Sequence, residues 1–190
     1  MKKILCFALL LYFTTKSFGQ VASYQKFEIQ YQNSMFISLD TFGISEFPVT
    51  IDYSVVGTQD SSRIVSVESA ETEDNVSIQI KTPQNTNFNG KVWSSTTDGV
   101  RSISPFLIKD ILVTTEEKYI LGYRCQKLIG KSVTNGSDIF IWICKDLPET
   151  LMPGCGSPPM GGAILELSLP AFKTHIVATS VKKIFDIPLK

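Results

Sequence analysis

The feature that most constrains this chain is an apolar/polar alternation of period two, which recurs over residues 24–31, 63–68, 76–81 and 139–143. Successive side chains of a strand point to opposite faces, so runs of this kind build strands, most with one buried face. Turn signals separate them at short intervals: Phe47-Pro48, Gly57-Thr58-Gln59-Asp60, residues 83–90, Asp98-Gly99, Asn135-Gly136 and the Pro/Gly-rich residues 153–162. Such punctuation reads as turns between strands, and the expected outcome is a mainly antiparallel sheet. Helical periodicity shows only at Ser104-Pro105-Phe106-Leu107-Ile108-Lys109-Asp110-Ile111, where Ser104 can cap and Pro105 fits the first helical position. Eight residues also suit a buried strand. The expected fold is mainly β, a single antiparallel sheet with one or two short helices, and no repeat or low-complexity linker divides residues 20–190.

Residues 174–182 alternate as well, with His175, Val177, Thr179 and Val181 on one side and Ile176, Ala178 and Ser180 on the other. Both sets are largely apolar or small, which predicts a central strand covered on both faces, with a ligand-lined cavity as the alternative.

The first nineteen residues read as a secretory signal peptide: Met1-Lys2-Lys3, an apolar run from Ile4 to Phe13, and the small-residue exit Ser17-Phe18-Gly19. The run is about ten residues, too short for the roughly twenty that a membrane-spanning helix needs. Cys6 lies near the start of the run, whereas a lipoprotein cysteine follows it. Cleavage near Gly19/Gln20 is expected, with the product in the periplasm or secreted and with no transmembrane segment. Across the whole chain, 18 basic and 18 acidic residues balance, and the leader removes Lys2, Lys3 and Lys16 without an acid, leaving an excess of three negative charges. The basic residues that remain are scattered, so no phosphate-binding footprint forms and nucleic acid is not an expected partner.

Three cysteines follow the leader, Cys125, Cys144 and Cys155, an odd number for an oxidising compartment. If the hairpin around Asn135-Gly136 closes with Ser132 opposite Ser137, Cys125 falls opposite Cys144 and a bridge is feasible. If Thr134 instead lies opposite Ser137, Cys125 meets Asp146. A Cys144 to Cys155 bridge, or none, stays open. The spacings of 19 and 11 residues do not suit zinc, whose ligand pairs come two to four residues apart. Cys155-Gly156-Ser157 lacks the surroundings of a papain-like nucleophile, and no metal or other cofactor is implied.

A longer pattern occupies the C-terminal third: Tyr119-Ile120-Leu121-Gly122-Tyr123-Arg124-Cys125-Gln126-Lys127, then Ile141-Trp142-Ile143-Cys144-Lys145-Asp146-Leu147-Pro148, then Gly161-Gly162-Ala163-Ile164-Leu165-Glu166-Leu167. In order and spacing, over residues 115–185, it resembles the GLPGLI family of exported bacterial proteins, as a divergent member. The eponymous motif keeps Gly, Ile, Leu and Glu, but Pro159-Met160-Gly161-Gly162 departs from its Gly/Pro order. The resemblance implies a curved antiparallel half-barrel like that of periplasmic lipoprotein carriers, with a concave apolar face able to hold an acyl chain. It singles out Gly122, Tyr123, Trp142, Gly161 and Gly162 as motif or ligand-proximal residues.

No catalytic constellation is organised in the sequence. His175 is the sole histidine, no Gly-x-Ser-x-Gly or His-Glu-x-x-His segment occurs, and Glu71/Glu73 and Glu116/Glu117 read as solvated turns. The expected function is a non-catalytic envelope module that binds a lipid or other apolar ligand; the alternative is a structural component that docks an envelope protein.

Overall fold

A computed structural model describes residues 25–39, 44–67, 70–71, 77–78, 87–88, 93–97, 100–104, 107–154 and 158–184. The proposed leader, Cys155, Pro105 and Phe106 lie outside these residues. Thirteen strands are described: β1 (Lys26–Leu39), β2 (Ile44–Gly57), β3 (Ser62–Val67), β4 (Ala70–Glu71), β5 (Ser77–Ile78), β6 (Asn87–Phe88), β7 (Trp93–Thr97), β8 (Val100–Ser104), β9 (Ile108–Ile120), β10 (Tyr123–Ser132), β11 (Asp138–Cys144), β12 (Ala163–Leu169) and β13 (Thr174–Ile184). Eleven of them form one open antiparallel sheet in the order β8-β7-β6-β3-β2-β1-β13-β12-β11-β10-β9, and β4 pairs with β5. The mainly antiparallel expectation holds.

The helix expected at residues 104–111 does not form. Ser104 ends β8, while Ile108 and Lys109 pair with Ser132 and Lys131 of β10. Pairing with a neighbouring strand outweighs a local cap and proline signal, because it gives the apolar run a ladder of hydrogen bonds and a buried Ile108. One or two short helices were expected; the described residues hold only a single 3-10 turn, Pro170–Phe172, which closes at Lys173 with a φ of 46°.

One face of the sheet carries the core. On β11, Ile139, Ile141 and Ile143 are buried while Phe140 and Trp142 between them are half-buried. On β1 and β2 the same face shows Ile29, Tyr31, Tyr53 and Val55. Residues 147–152, which follow β11, lie over this face and seat Leu147, Leu151 and Met152 against it.

The expectation that β13 is covered on both faces is corrected. Gln30 pairs with Ser180 but Tyr31 pairs with Ala178, so Thr179 is bulged out of the ladder. An extra residue reverses the alternation, and Val181, opposite Ile29, joins Ile176 and Ala178 on the core side. His175 and Thr179 are exposed. The strand is central in the sheet and buried on one face.

Candidate functional site

The residues singled out by the family-like pattern gather at one end of β9 to β12. Leu121 and Gly122 form the two-residue β9–β10 turn with φ of 52° and 83°, the doubly left-handed geometry whose twist matches that of a hairpin. Tyr123 opens β10 opposite Ile120. Trp142 lies mid-strand on β11, between Lys127 and Glu166 across the ladder. Gly161 and Gly162 lead into β12. Gly161 needs its left-handed φ of 76°, and its N–H donates to Glu149 Oε2 at 3.0 Å. Gly162 is needed for space, because a Cβ there would meet the Cys144 carbonyl group.

The Asn135-Gly136 hairpin closes with Ser132 opposite Ser137: the Ser132 N–H donates to Ser137 O and the Gly136 N–H to Ser132 O, each at 2.9 Å. Cys125 therefore stands opposite Cys144. Both thiols are free and fully buried, and burial pushes the Cys125 thiol up to about 11, with Cys144 raised for the same reason.

On the face opposite the core, Lys118 sends its ammonium over the Trp142 ring, 4.3 Å from the centroid, to reach Glu166 Oε2 at 2.6 Å. His175 Nε2 lies 3.5 Å from the other oxygen of the same carboxylate. Lys127 Nζ sits 5.4 Å from the Phe140 ring and 2.8 Å from Glu116 Oε2. This belt crosses β9 to β13, and each cation in it meets an acid or a ring. Such partly exposed pairs contribute about 0.2–1 kcal/mol each. Glu116 and Glu117 are strand positions here, paired with Lys127 and Arg124, where solvated turns were expected. His175 is half-exposed and faces the Glu166 carboxylate. Among the described residues no three His, Cys, Asp or Glu side chains converge as metal ligands, and no helix is long and apolar enough to cross a membrane.

Among the grooves of the described residues are one at the middle of the sheet and one at its β9–β11 end. The first, of about 350 Å³, is lined by Gln30, Gln32, Asp52, Ser54 and Thr179 together with Tyr31 and Tyr53; the other, of about 290 Å³, by Glu117, Arg124, Gln126, Lys145 and Asp146 together with Cys125 and Ile143. Polar and apolar groups share the walls of both.

The core face has its own polar contacts, which the sequence did not signal. Tyr31 and Tyr53 stack with centroids 5.5 Å apart. The Tyr31 hydroxyl donates to Ile164 O at 2.7 Å and lies 3.4 Å from Leu151 O, and the Tyr53 hydroxyl donates to Pro153 O. The Ser62 hydroxyl donates to Thr150 O, and the Thr150 hydroxyl to Thr58 O. These phenols share strands with the alternating apolar residues, but their acceptors lie 100 or more residues away.

Burial raises both phenols well above the ordinary tyrosine range near 10. A raised folded value means stability that is complete below the unfolded pKa and is lost as pH rises toward the folded one. We expect the midpoint of urea denaturation to begin to fall at about pH 8.5–9, where the Cys125 and Cys144 thiols ionise in the unfolded chain, and to fall more steeply above about pH 10, the unfolded tyrosine value. The Tyr31→Phe variant should show a shallower fall; an equal slope in both proteins would contradict this assignment.

No protein-family model matches the chain, and a comparison with curated proteins finds no match. Among solved structures, PNGF-II in a C2 crystal form is similar with a TM-score of 0.55 and 21% identity, over 86% of this chain and 28% of that one. PNGF-II in a P21 form is similar with a TM-score of 0.53 and 20% identity, over 86% of this chain and 29% of that one. The chain thus spans less than a third of the length of these neighbours. At this identity the likeness shows the fold alone.

Proposed function

We propose that this chain is an exported, non-catalytic envelope module, a divergent relative of the GLPGLI proteins, that works by docking another protein on the β9 side of its sheet. The observation that carries this reading is the occupancy of the apolar face. Leu147, Leu151 and Met152 of the chain itself fill it, fastened by Tyr31, Tyr53 and Ser62. A lipid carrier needs that surface free for an acyl chain. The β9 end of the sheet, in contrast, ends the strand order and shows exposed Leu112 (62%), Val113 (60%) and Tyr119 (74%). A sheet edge with apolar side chains is a surface on which an extended segment of a partner adds main-chain hydrogen bonds. The half-barrel curvature implied by the family resemblance is part of the same reading, supported by bulges that bend β9, β12 and β13.

One observation favours the lipid-binding reading. The Asn33 side-chain oxygen is buried without a hydrogen-bond partner, on the core face between Ile51 and Ile176. A polar headgroup donor there would satisfy it.

Crosslinking of the exported chain in its envelope, followed by native mass spectrometry of the purified protein, separates the two. The docking reading expects a discrete crosslinked protein that disappears in a Leu112→Lys/Val113→Lys variant, with stability changed by no more than about 0.5 kcal/mol because both positions are exposed. A bare crosslinking lane together with an extractable lipid mass would overturn it in favour of the carrier.

A further inference from the structure

We propose that Cys125 and Cys144 are joined by a cross-strand disulfide in the working protein, formed by exchange with an oxidised thiol compound or a thiol–disulfide oxidoreductase. In that exchange the two S–H bonds of the chain are lost and one S–S bond forms. The donor disulfide takes up both electrons and both protons and leaves as two thiols.

The register and the burial of the two residues place the pair. Cys125 and Cys144 are directly opposed at the end of an unbroken register that runs from Lys131 opposite Asp138 through seven consecutive pairs. Directly opposed Cα atoms of an antiparallel ladder lie roughly 4.5–5.5 Å apart, inside the range of about 4.4–6.8 Å that a disulfide spans. Opposed residues also project to the same face, which sets the two side chains on one side of the ladder. Both residues are buried, with Cys125 at the wall of the groove edged by Glu117 and Arg124.

The location gives the bond a consequence. Cys144 is the last residue of β11, and the next segment carries the Leu147, Leu151 and Met152 plug. Linking β10 to β11 at this point fixes the anchor from which the plug departs. Burial keeps both sulfurs protonated in the folded protein, so the exchange belongs to folding or to alkaline conditions, when a thiolate is available.

The oxidising compartment rests on the exported reading, but the pairing does not, and the test separates them. The three cysteines fall in different tryptic peptides, residues 125–127, 132–145 and 146–173, while Cys6 falls in residues 4–16. The full chain is refolded with oxidised glutathione, its free thiols are blocked, and it is digested without reduction. The same digest is run on protein recovered from the envelope of expressing cells.

The expected result is a linked 125–127/132–145 peptide that separates on reduction, with Cys155 blocked as a free thiol. The oxidised form should melt roughly 5–10 °C above the reduced form, from the loop entropy removed from the unfolded chain. A link from either cysteine to Cys155, or three blocked thiols after refolding, would overturn the pairing. The linked peptide after refolding alone, with reduced thiols and an intact 4–16 peptide in cells, would support the pairing and overturn export.

Discussion

Replacing Gly162 with alanine should lower the stability of this protein by about 3 kcal/mol, the upper end of what overpacking costs. The added Cβ has no room: its nearest neighbour is the Cys144 carbonyl oxygen, with the Cys144 carbonyl carbon at 2.7 Å and Lys145 Cα at 3.0 Å. All three are backbone atoms at the end of β11, so no side chain can swing away. The strand or the incoming loop must shift, and with it the Cys144 to Ala163 pairing that starts β12. Gly161→Ala makes the informative contrast. Nothing lies within 4 Å of its Cβ, and only the left-handed φ of 76° opposes the change, a strain of about 1–2 kcal/mol. Thermal melts of the two variants should therefore separate, with Gly162→Ala lower by several degrees. Equal Tm values would mean that the close approach is not what demands glycine there.

Leu151→Ala is the second large effect, an expected loss of about 2–5 kcal/mol from lost burial and the cavity left behind. Leu151 is fully buried, its N–H donates to Pro148 O at 3.1 Å, and its carbonyl accepts the Ile164 N–H at 3.2 Å. The residue thus ties the plug to itself and to β12, with its side chain against the sheet. Urea denaturation should give the loss directly. A second measurement tests what the plug does: an apolar fluorescent probe should bind the Leu151→Ala protein more strongly than the parent, because the variant opens the apolar face. A variant as stable as the parent and equally inert to the probe would show that residues 147–152 are not part of the core.

Much of the architecture follows from local patterns. The alternation in residues 24–31 and 139–143 led to β1 and β11, and Asn135-Gly136 to the hairpin that sets Cys125 opposite Cys144. Where reading failed, a partner in space won over a local preference. Residues 104–111 carried a helix cap and a proline, yet β10 drew Ile108 and Lys109 into a ladder. The alternation of residues 174–182 continues through Thr179 in the sequence, whereas in β13 a bulge reverses it there, and nothing in Ala178-Thr179-Ser180 announces which neighbour requires the extra residue.

The site was legible to a smaller degree. Trp142 and the Gly161-Gly162 pair stood out as residues of unusual type, but Lys118, Glu166 and His175 come together only because β9, β12 and β13 are brought within reach of one another.

The amino-acid sequence by itself determined that this chain is a strand-rich antiparallel protein, because side-chain alternation and turn residues act over a few neighbouring positions. Only the tertiary structure decided which face is apolar, that residues 147–152 cover it, and that Tyr31 and Tyr53 fasten that cover. Those outcomes depend on contacts between residues 100 or more apart, whose strength is set by how whole strands pack and by which buried polar groups find a partner.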